Sequence, residues 1–424
     1  MHDVRELIEL GPEAVRRLAR RRYGLDLTGV EEAHRRRAAA LTSVSDLRAA
    51  LKAASRGHGG KPSEAAREES RRLREQVQQA ESAAREAEAA LTDLLLAIPN
   101  FPLDEVPDGH SDQEAVEVAR GGPPVRAGGP ARHHADLGET LNIFDGSRAA
   151  RLSGARFTVS RGAGARLERA LGDFFLDLHT QEHGYVEHSV PYLVNRQTMT
   201  ATGQLPKFEE DLFATRVGDR ELFLVPTAEV PLTNLVAGDL LVAADLPLAF
   251  TSRTPCFRAE AGSYGRDTRG ILRLHQFEKV ELVRICAADE APKQLELMRS
   301  HAEECLRRLE LSYRVVQLPA GDLGFSARMT YDIEVWLPGS GAFREISSVS
   351  DCGTFQGRRA GIRVRTGSGA KEAAATLNGS ALPIGRTVAA LLEQGQQEDG
   401  SVVLPAALTP YTGFSRILPG GATA

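Results

Sequence analysis

Residues 257–282 read FRAEAGSYGRDTRGILRLHQFEKVEL. The stretch holds four arginines, four carboxylates and three glycines, yet both of its ends carry the residues of β-strands. It predicts a β-hairpin with a long charged tip. Such charge on a strand is costly to bury without partners, so its partners are expected to arrive from outside the chain. Side chains on a strand alternate between its two faces. Arg258 and Glu260 share a parity, as do Phe277 and Glu281. The pattern recurs with Thr227 and Glu229 in PTAEV, and with Glu345 and Ser347 in REISS, where Ser348 falls opposite or at the strand end. A satisfied ion pair or an exposed sheet face explains any one of these pairs equally well. Four of them on four strands predict one polar cleft across a sheet.

The residue types indicate what such a cleft holds. An arginine on a strand presents a planar fork suited to carboxylate or phosphate. In the loop between the strands, Gly262, Gly265 and Gly270 permit unusual backbone angles, and Arg266 and Arg269 attract anions. Phe277 offers a ring on which a base can stack. Glu345 is a candidate ligand for Mg²⁺, which favours oxygen donors combined with phosphate. Arg386 follows Gly385 just before a predicted helix. Phosphate, base, metal and an acidic pocket for a cation together point to ATP plus an amino acid. No GxxxxGK[ST] occurs, so this is not a P-loop nucleotide site.

At 424 residues the chain is long enough for two or three domains. Its balance of apolar and charged residues is that of a globular protein. No apolar run approaches the roughly 20 residues that span a bilayer, and the opening MHDVRELIELGPEAVRRLARRR lacks the apolar core of a signal peptide. A cytoplasmic protein without membrane partners is expected. Cys256, Cys286, Cys305 and Cys352 show no CxxC spacing, which argues against a zinc site or a disulfide framework. A net charge of −5 restricts any nucleic-acid contact to a local patch.

That patch is expected near the N-terminus. Residues 31–97 are rich in Ala, Arg, Glu, Leu and Gln, broken only by SRGHGGKPS at 55–63. Two helical segments around a Gly/Pro turn predict an antiparallel hairpin. Leu73, Val77, Ala80, Ala84, Ala87, Leu91 and Leu94 recur at coiled-coil spacing. Arms of about 30 residues extend roughly 45 Å at 1.5 Å per residue. Basic residues cluster there: Arg20 to Arg22, Arg35 to Arg37, Arg48, Lys52, Arg56, Lys61, Arg71, Arg72 and Arg74. Alone, this is most simply a solvated helix face; the alternative is a phosphate-gripping probe. IPNFPLDEVPDG at 98–109 ends the helix, and RGGPPVRAGGPARHH at 120–134 predicts a flexible loop. Beyond residue 150, strand-like runs such as YVEHSVPYLVN, ELFLVPTAEV, RTPCFRAEA, MTYDIEVWLP and FREISSVSDC are interleaved with a few helices. A mainly antiparallel sheet with helices packed on it follows.

These motifs resemble the bacterial-type seryl-tRNA synthetases, a family of class II aminoacyl-tRNA synthetases. The opening stretch is similar to the family's motif 2, LVPTAEVPLTN to its TxE loop, and FFLDLHTQEHGYVEHSVPYLV, with Pro191, to motif 1. YDIEVWLPGSGAFREISSVSD and TLNGSALPIGRTVAALLE resemble the strand before motif 3 and motif 3 itself. The resemblance implies an α+β fold: a class II antiparallel β-sheet catalytic domain with flanking helices, preceded by a helical coiled-coil arm. The implied division is an N-terminal tRNA-binding domain at 1–100 with its hairpin at about 31–97, a linker and entry at 101–150, and a catalytic domain at 151–424. It implies a homodimer formed through motif 1, L-serine and ATP as substrates, Mg²⁺ as cofactor, and tRNA(Ser) gripped by the arm. A role toward tRNA(Sec) is left open.

Site roles follow from the same resemblance. Arg258 is expected on the serine carboxylate and α-phosphate, Glu260 on the adenine amino group, and Phe277 stacked on adenine. Arg386 is expected on the other side of the base, reaching the γ-phosphate. Glu345 and Ser348 are expected to hold Mg²⁺. Thr227 and Glu229 are expected to bind the ammonium, with Ala228 and Asn378 beside them, and Glu281 and Ser380 to sit near the serine hydroxyl. Ala259, Leu274, His275, Gln276, Ile346 and Ser347 complete the expected ATP site.

Two places depart from the family pattern. Val349, Ser350 and Asp351 stand where Cys-Ser-Asn is usual, so Asp351 is expected to add negative charge near the phosphates. Gln394 and Gly395 follow Glu393 where an asparagine and an aromatic residue are common, and looser packing is expected there. The competing readings are a specialised paralogue with the same chemistry (an inhibitor-resistant copy or a supplier of seryl-tRNA to a biosynthetic pathway), an amino acid:carrier-protein ligase, and a non-catalytic tRNA-binding protein. The arm argues against the second, and the intact Arg258, Glu260, Glu345 and Arg386 against the third.

Overall fold

A computed structural model describes residues 1–56, 63–125, 128–129, 131–261 and 269–424. Gly262, Gly265, Arg266 and Lys61 lie outside the described residues, as does the side chain of Arg56. The chain divides into two compact units, Met1–Pro99 and Asn100–Ala424.

The first unit is built on two long helices, α1 (Leu27–Arg56) and α2 (Glu64–Ala97), packed against each other. Ser63 caps α2, its hydroxyl accepting the Ala66 N–H. Leu73, Ala84 and Leu91 are buried as the seam requires. The seam then leaves the expected track. Leu94 is exposed and Leu95 is buried in its place, because the straight 3.6-residue helix drifts away from a 3.5-residue repeat. Some of the basic residues are neutralised within the hairpin, as Arg37 pairs with Glu88 and Arg48 with Glu81.

The second unit is centred on an eight-stranded sheet. Its strands, in chain order, are β1 (Val116–Gly121), β2 (Val186–Glu187), β3 (Leu248–Phe257), β4 (Gln276–Cys286), β5 (Tyr313–Gln317), β6 (Met329–Leu337), β7 (Ala342–Asp351) and β8 (Ala375–Pro383). They lie side by side as β1-β5-β6-β7-β8-β4-β3-β2. All neighbours are antiparallel except β2 and β3. Helices α3 (Ala163–Gln181), α4 (Ala291–Arg308) and α5 (Ile384–Gly395) pack against this sheet and enclose the main core with it.

Strand β4 shows how the sequence partitions between the faces. Val280 and Leu282 enter the main core. Phe277, Lys279 and Glu281, with the opposite parity, line a cavity instead. Along the same parity, Val283 and Ile285 join a second, smaller core with Ala228 and Leu232.

Three local departures from regular strand shift the predicted faces. PTAEV is not strand: the pairing strand ends at Leu224, and Glu229 opens the short helix Glu229–Asn234. Strand β3 ends at Phe257, and Glu260 has a φ of +53°, so the simple alternation of Arg258 with Glu260 does not hold. In β7 the register slips: Ile333 faces Ser347 while Glu334 faces Glu345. Ile346 is the extra residue of a β-bulge, and a bulge resets side-chain parity. Ser348, not Ser347, is therefore returned to the face of Glu345. Ser347 is buried, its hydroxyl donating to the Ser380 carbonyl at 2.7 Å.

Candidate active site

The cavity on the open face of the sheet has a volume of about 530 Å³. Hairpin β3–β4 supplies Arg258, Phe277, Lys279 and Glu281, and the bulge of β7 supplies Glu345, Ile346 and Ser348. Asn378 and Ser380 come from β8, and Arg386 from the first turn of α5. Thr227 and Glu229 close the far end, and Glu260 and Leu274 belong to the segments leaving the hairpin. Other expected residues are not on the wall. Ala228 belongs to the smaller core, and Ala259 donates its N–H to the Asp211 carbonyl. His275 turns its Nδ1 to the Arg258 carbonyl at 3.0 Å, and Gln276 faces a neighbouring cavity.

The hairpin's charges are less unpaired than its sequence predicts. Glu260 pairs with Arg273, Lys279 with Glu281, Glu278 with Arg253, and Arg269 with Asp136. Arg258 is different. Among the described residues its guanidinium makes no ion pair, donates from Nε to the Pro226 carbonyl at 3.2 Å, and lies 5.3 Å from the centre of the Phe277 ring. Its charge faces the cavity with most of its donor capacity left for an incoming anion.

At the Thr227 end the pocket is acidic and its polar side chains are buried. Glu229 and Glu281 are buried. Burial, helped by the charge of Glu281, pushes the Glu229 carboxyl up to about 7. Burial likewise raises Glu281, against the pull of Lys279. Glu229 Oε1 accepts from Gln356 Nε2 at 2.7 Å and from Asn378 Nδ2 at 3.1 Å. Lys279 Nζ donates to Thr227 Oγ1 at 3.0 Å. Two carboxyls around one buried lysine leave this end short of positive charge. An ammonium ion is the chemical species that relieves it.

At the other end Arg386 reaches Glu345, Nη1 to Oε2 at 3.4 Å, and its Nε donates to the Leu272 carbonyl at 3.1 Å. The cavity walls desolvate Glu345 and oppose its ionisation although its side chain is 49% exposed, but the charges of Arg386 and Arg258 outweigh this and hold the carboxyl low. Beside it, Asp332 has a buried Oδ1 with no hydrogen-bond partner, and burial plus the charge of Glu345 raises its carboxyl. An orphaned carboxyl oxygen next to Glu345 and Ser348 makes a set of hard oxygen donors, which fits a divalent cation such as Mg²⁺.

Four residues escaped the sequence reading. Lys279 shares the parity of Phe277 and Glu281 and was legible by the same rule. Arg273 and Asp211 line the cavity, but Arg273 lies in irregular backbone and Asp211 ends a three-residue 3-10 helix, too short to show a period. Gln356 holds Glu229 from a short helix distant in sequence. The departures also turn out otherwise than expected. Asp351 is buried away from the cavity wall and is neutralised by Arg328, Nη2 to Oδ2 at 2.8 Å, so it adds no free charge near the phosphates. Gln394 bonds the Ser312 N–H and the Trp336 carbonyl, both at 2.9 Å, and a Cβ on Gly395 would come within 2.4 Å of the Val403 carbonyl oxygen. The packing there is tight.

The antiparallel sheet thus carries one arginine on its hairpin, Arg258, and a second, Arg386, at the start of the closing helix. A family model for the class II tRNA synthetase core domain (G, H, P, S and T) matches residues 208–395, and one for the seryl-tRNA synthetase N-terminal domain matches residues 1–102. The chain is 74% identical to serine–tRNA ligase 2 of Streptomyces avermitilis over the full length of both proteins. It is 49% identical to the serine–tRNA ligase of Nitratidesulfovibrio vulgaris strain Miyazaki F, covering 96% of this chain and 97% of that one. Its structure resembles that of seryl-tRNA synthetase from Pyrococcus horikoshii complexed with ATP, with a TM-score of 0.87, 33% identity, and coverage of 99% and 100%. The chain belongs to the seryl-tRNA synthetase family.

Proposed function

We infer that this chain is a serine–tRNA ligase: it activates L-serine with ATP and transfers the seryl group to the 3′ end of tRNA(Ser). The observation that carries the assignment is the cavity itself, an arginine that makes no ion pair among the described residues, set between a buried acidic pocket and a site for polyphosphate. Family membership and an ATP-complexed structural relative support the nucleotide.

In the first step an oxygen of the serine carboxylate attacks the α-phosphorus of ATP. The bond to the bridging oxygen breaks, and pyrophosphate leaves. Arg258 stabilises the negative charge that grows on the α-phosphate. Thr227 and Glu229 hold the ammonium, while Glu281 and Ser380 meet the hydroxyl. Phe277 and Glu260 take the adenine, and Arg386 the γ-phosphate. No general base is required because the carboxylate is already a nucleophile, so rate enhancement rests on positioning and electrostatics. Mg²⁺, when held by Glu345 and Ser348, would neutralise phosphate charge. In the second step the ribose hydroxyl of the terminal adenosine displaces AMP from the seryl carbonyl.

Residues 1–100 serve as the tRNA-binding domain, with exposed Arg71 and Arg74 among its phosphate contacts. A homodimer through the segment around Pro191 is supported by Val186, Tyr192 and Leu193, which leave apolar surface exposed there. Among the described residues no helix is long and apolar enough to cross a membrane, which is in keeping with a cytoplasmic enzyme. The alternative as to cellular role is a specialised paralogue with the same chemistry, which tolerance of a serine-mimicking inhibitor tests. The chemistry is tested by ATP–pyrophosphate exchange across the twenty amino acids, followed by charging of purified tRNA(Ser). Serine-only exchange with charging supports the assignment, and exchange without charging moves it to a carrier-protein ligase.

A further inference from the structure

His134 opens a short helix, His134–Thr140, and is fully buried. His133, His134 and Glu393 place donor atoms close enough together to form a metal cluster. The hydrogen bonding argues otherwise. His134 Nδ1 lies 2.7 Å from Glu393 Oε1, which also accepts the His134 backbone N–H at 3.0 Å. Glu393 Oε2 accepts the Gly339 N–H at 2.7 Å, and His133 Nδ1 accepts that of Ala135 at 3.2 Å. On the far side, His134 Nε2 lies 3.3 Å from the Ile271 backbone nitrogen. Apart from the outer nitrogen of His133, the ligand atoms are occupied, so the cluster is a connector.

The chemistry of the partners fixes its state. A carboxylate accepts and a backbone amide donates. Nδ1 must therefore carry the proton that Glu393 accepts, and Nε2 must offer its lone pair to Ile271. With the proton on Nδ1 and the lone pair on Nε2, the imidazole joins the two.

What is joined matters for the site. Ile271, Leu272 and Leu274 form the cavity wall beside Phe277. Glu393 lies on α5, which also carries Arg386, and Arg386 Nε holds the Leu272 carbonyl. Next to Ile271, Gly270 has a φ of +82°, and a Cβ there would sit 2.1 Å from His134 Nε2. The close approach thus requires glycine. Arg269 makes a second attachment, pairing with Asp136 on the helix of His134. The 269–274 segment is held at both ends of a short span.

We propose that His134 is a positioning residue of the ligase: its imidazole docks the Arg269–Ile271 end of the hairpin tip onto α5 and so sets the wall of the nucleotide site. The proposal rests on the ligase reading above. It touches no reacting atom, so its loss acts on nucleotide binding before it acts on chemistry.

The test is serine-dependent ATP–pyrophosphate exchange by the full-length protein, comparing His134→Phe, His134→Gln and Asp136→Asn with the parent. His134→Gln retains an acceptor near Nε2. The expected result for His134→Phe is a KM for ATP raised about fivefold or more, with kcat and the KM for serine changed less than about twofold, the size set by one net hydrogen bond. His134→Gln should recover most of the loss, and Asp136→Asn, on the exposed attachment, should show a smaller rise of the same kind. Amide hydrogen exchange of the 269–274 peptide should quicken in His134→Phe. Unchanged KM for ATP in all three overturns the proposal, as does an equal fall in kcat for His134→Phe and His134→Gln. If His134→Phe does not fold, the other two variants decide. A parent protein without serine-dependent exchange refutes the ligase reading instead.

Discussion

Glu229→Gln should make the protein more stable and less useful. Glu229 is buried, and its carboxyl is pushed from the ordinary 4.5 up to about 7, first by burial and then by the charge of Glu281. A carboxyl whose folded pKa lies above its unfolded value binds its proton more tightly in the folded state. Stability therefore falls as pH rises through the window from about 4.5 to about 7, and the full penalty stands above it. At 1.36 kcal/mol per pKa unit, this penalty is about 3 kcal/mol. Glutamine carries no charge yet keeps an oxygen for Gln356 and Asn378. Its new amide must find an acceptor, which offsets part of the gain. The expected net stabilisation is about 1–3 kcal/mol at about pH 8, shrinking toward zero at about pH 5, where Glu229 is already protonated. Urea unfolding followed by tryptophan fluorescence reads this directly, because Trp336 is the single tryptophan and lies in the second unit. The same variant should lose serine-dependent exchange, because a neutral side chain no longer pairs with the ammonium. A stability difference that is the same at both pH values, or a variant less stable at the higher pH, would refute the reasoning.

Arg258→Ala should abolish adenylate formation while the thermal transition of the fold stays close to the parent's, since Arg258 makes no ion pair among the described residues; exchange assays and calorimetry check it. Asp351→Asn should leave the KM for ATP within about twofold but cost roughly 1–3 kcal/mol, because it removes the charge that Arg328 pairs with; urea unfolding beside exchange kinetics separates the two. Gly395→Ala should destabilise by about 1–3 kcal/mol, because its Cβ meets the Val403 carbonyl oxygen at 2.4 Å. Arg71→Glu combined with Arg74→Glu should lower tRNA(Ser) charging at least about tenfold at low salt without touching exchange, because phosphate contacts lie on the arm and amino-acid activation does not.

The antiparallel sheet, the helical hairpin and the Phe277–Glu281 stretch of the cavity wall were legible because they rest on periodicity, which a single sequence displays, whereas Leu274, Ile346, Asn378 and Ser380 on that wall were expected from the family resemblance alone. Strand β6 coincides with the run MTYDIEVWLP, and α5 with the helix expected after Arg386, begun a few residues earlier. Lys279 shares the parity of Phe277 and Glu281 and follows from the same rule. What was not legible depended on breaks in periodicity. A bulge has no signature in REISS, since it is created by the pairing of β7 with β6. Thr227 and Glu229 sit in a turn and a helix start, where side-chain direction follows from backbone angles and not from counting.

Those same breaks explain how a sheet can bind so many unlike groups on one face. A regular strand offers side chains on one face about 7 Å apart, at twice the residue rise. The bulge at Ile346 brings Glu345 and Ser348 to one face at a spacing that alternation forbids. The positive φ of Glu260 bends its carboxylate out of the strand path toward Arg273. The turn at Pro226 delivers its carbonyl to Arg258 Nε and places Thr227 against Lys279. The regular strands thus hold Phe277, Lys279 and Glu281 in fixed register, and the irregular positions aim the remaining groups between them. A parity argument finds such a cleft because one of the four predicted pairs, Phe277 and Glu281, obeys parity on a regular strand. It misplaces Ser347, which is buried; Glu229 and Glu260 do reach the wall, but through a helix start and a positive φ and not through alternation.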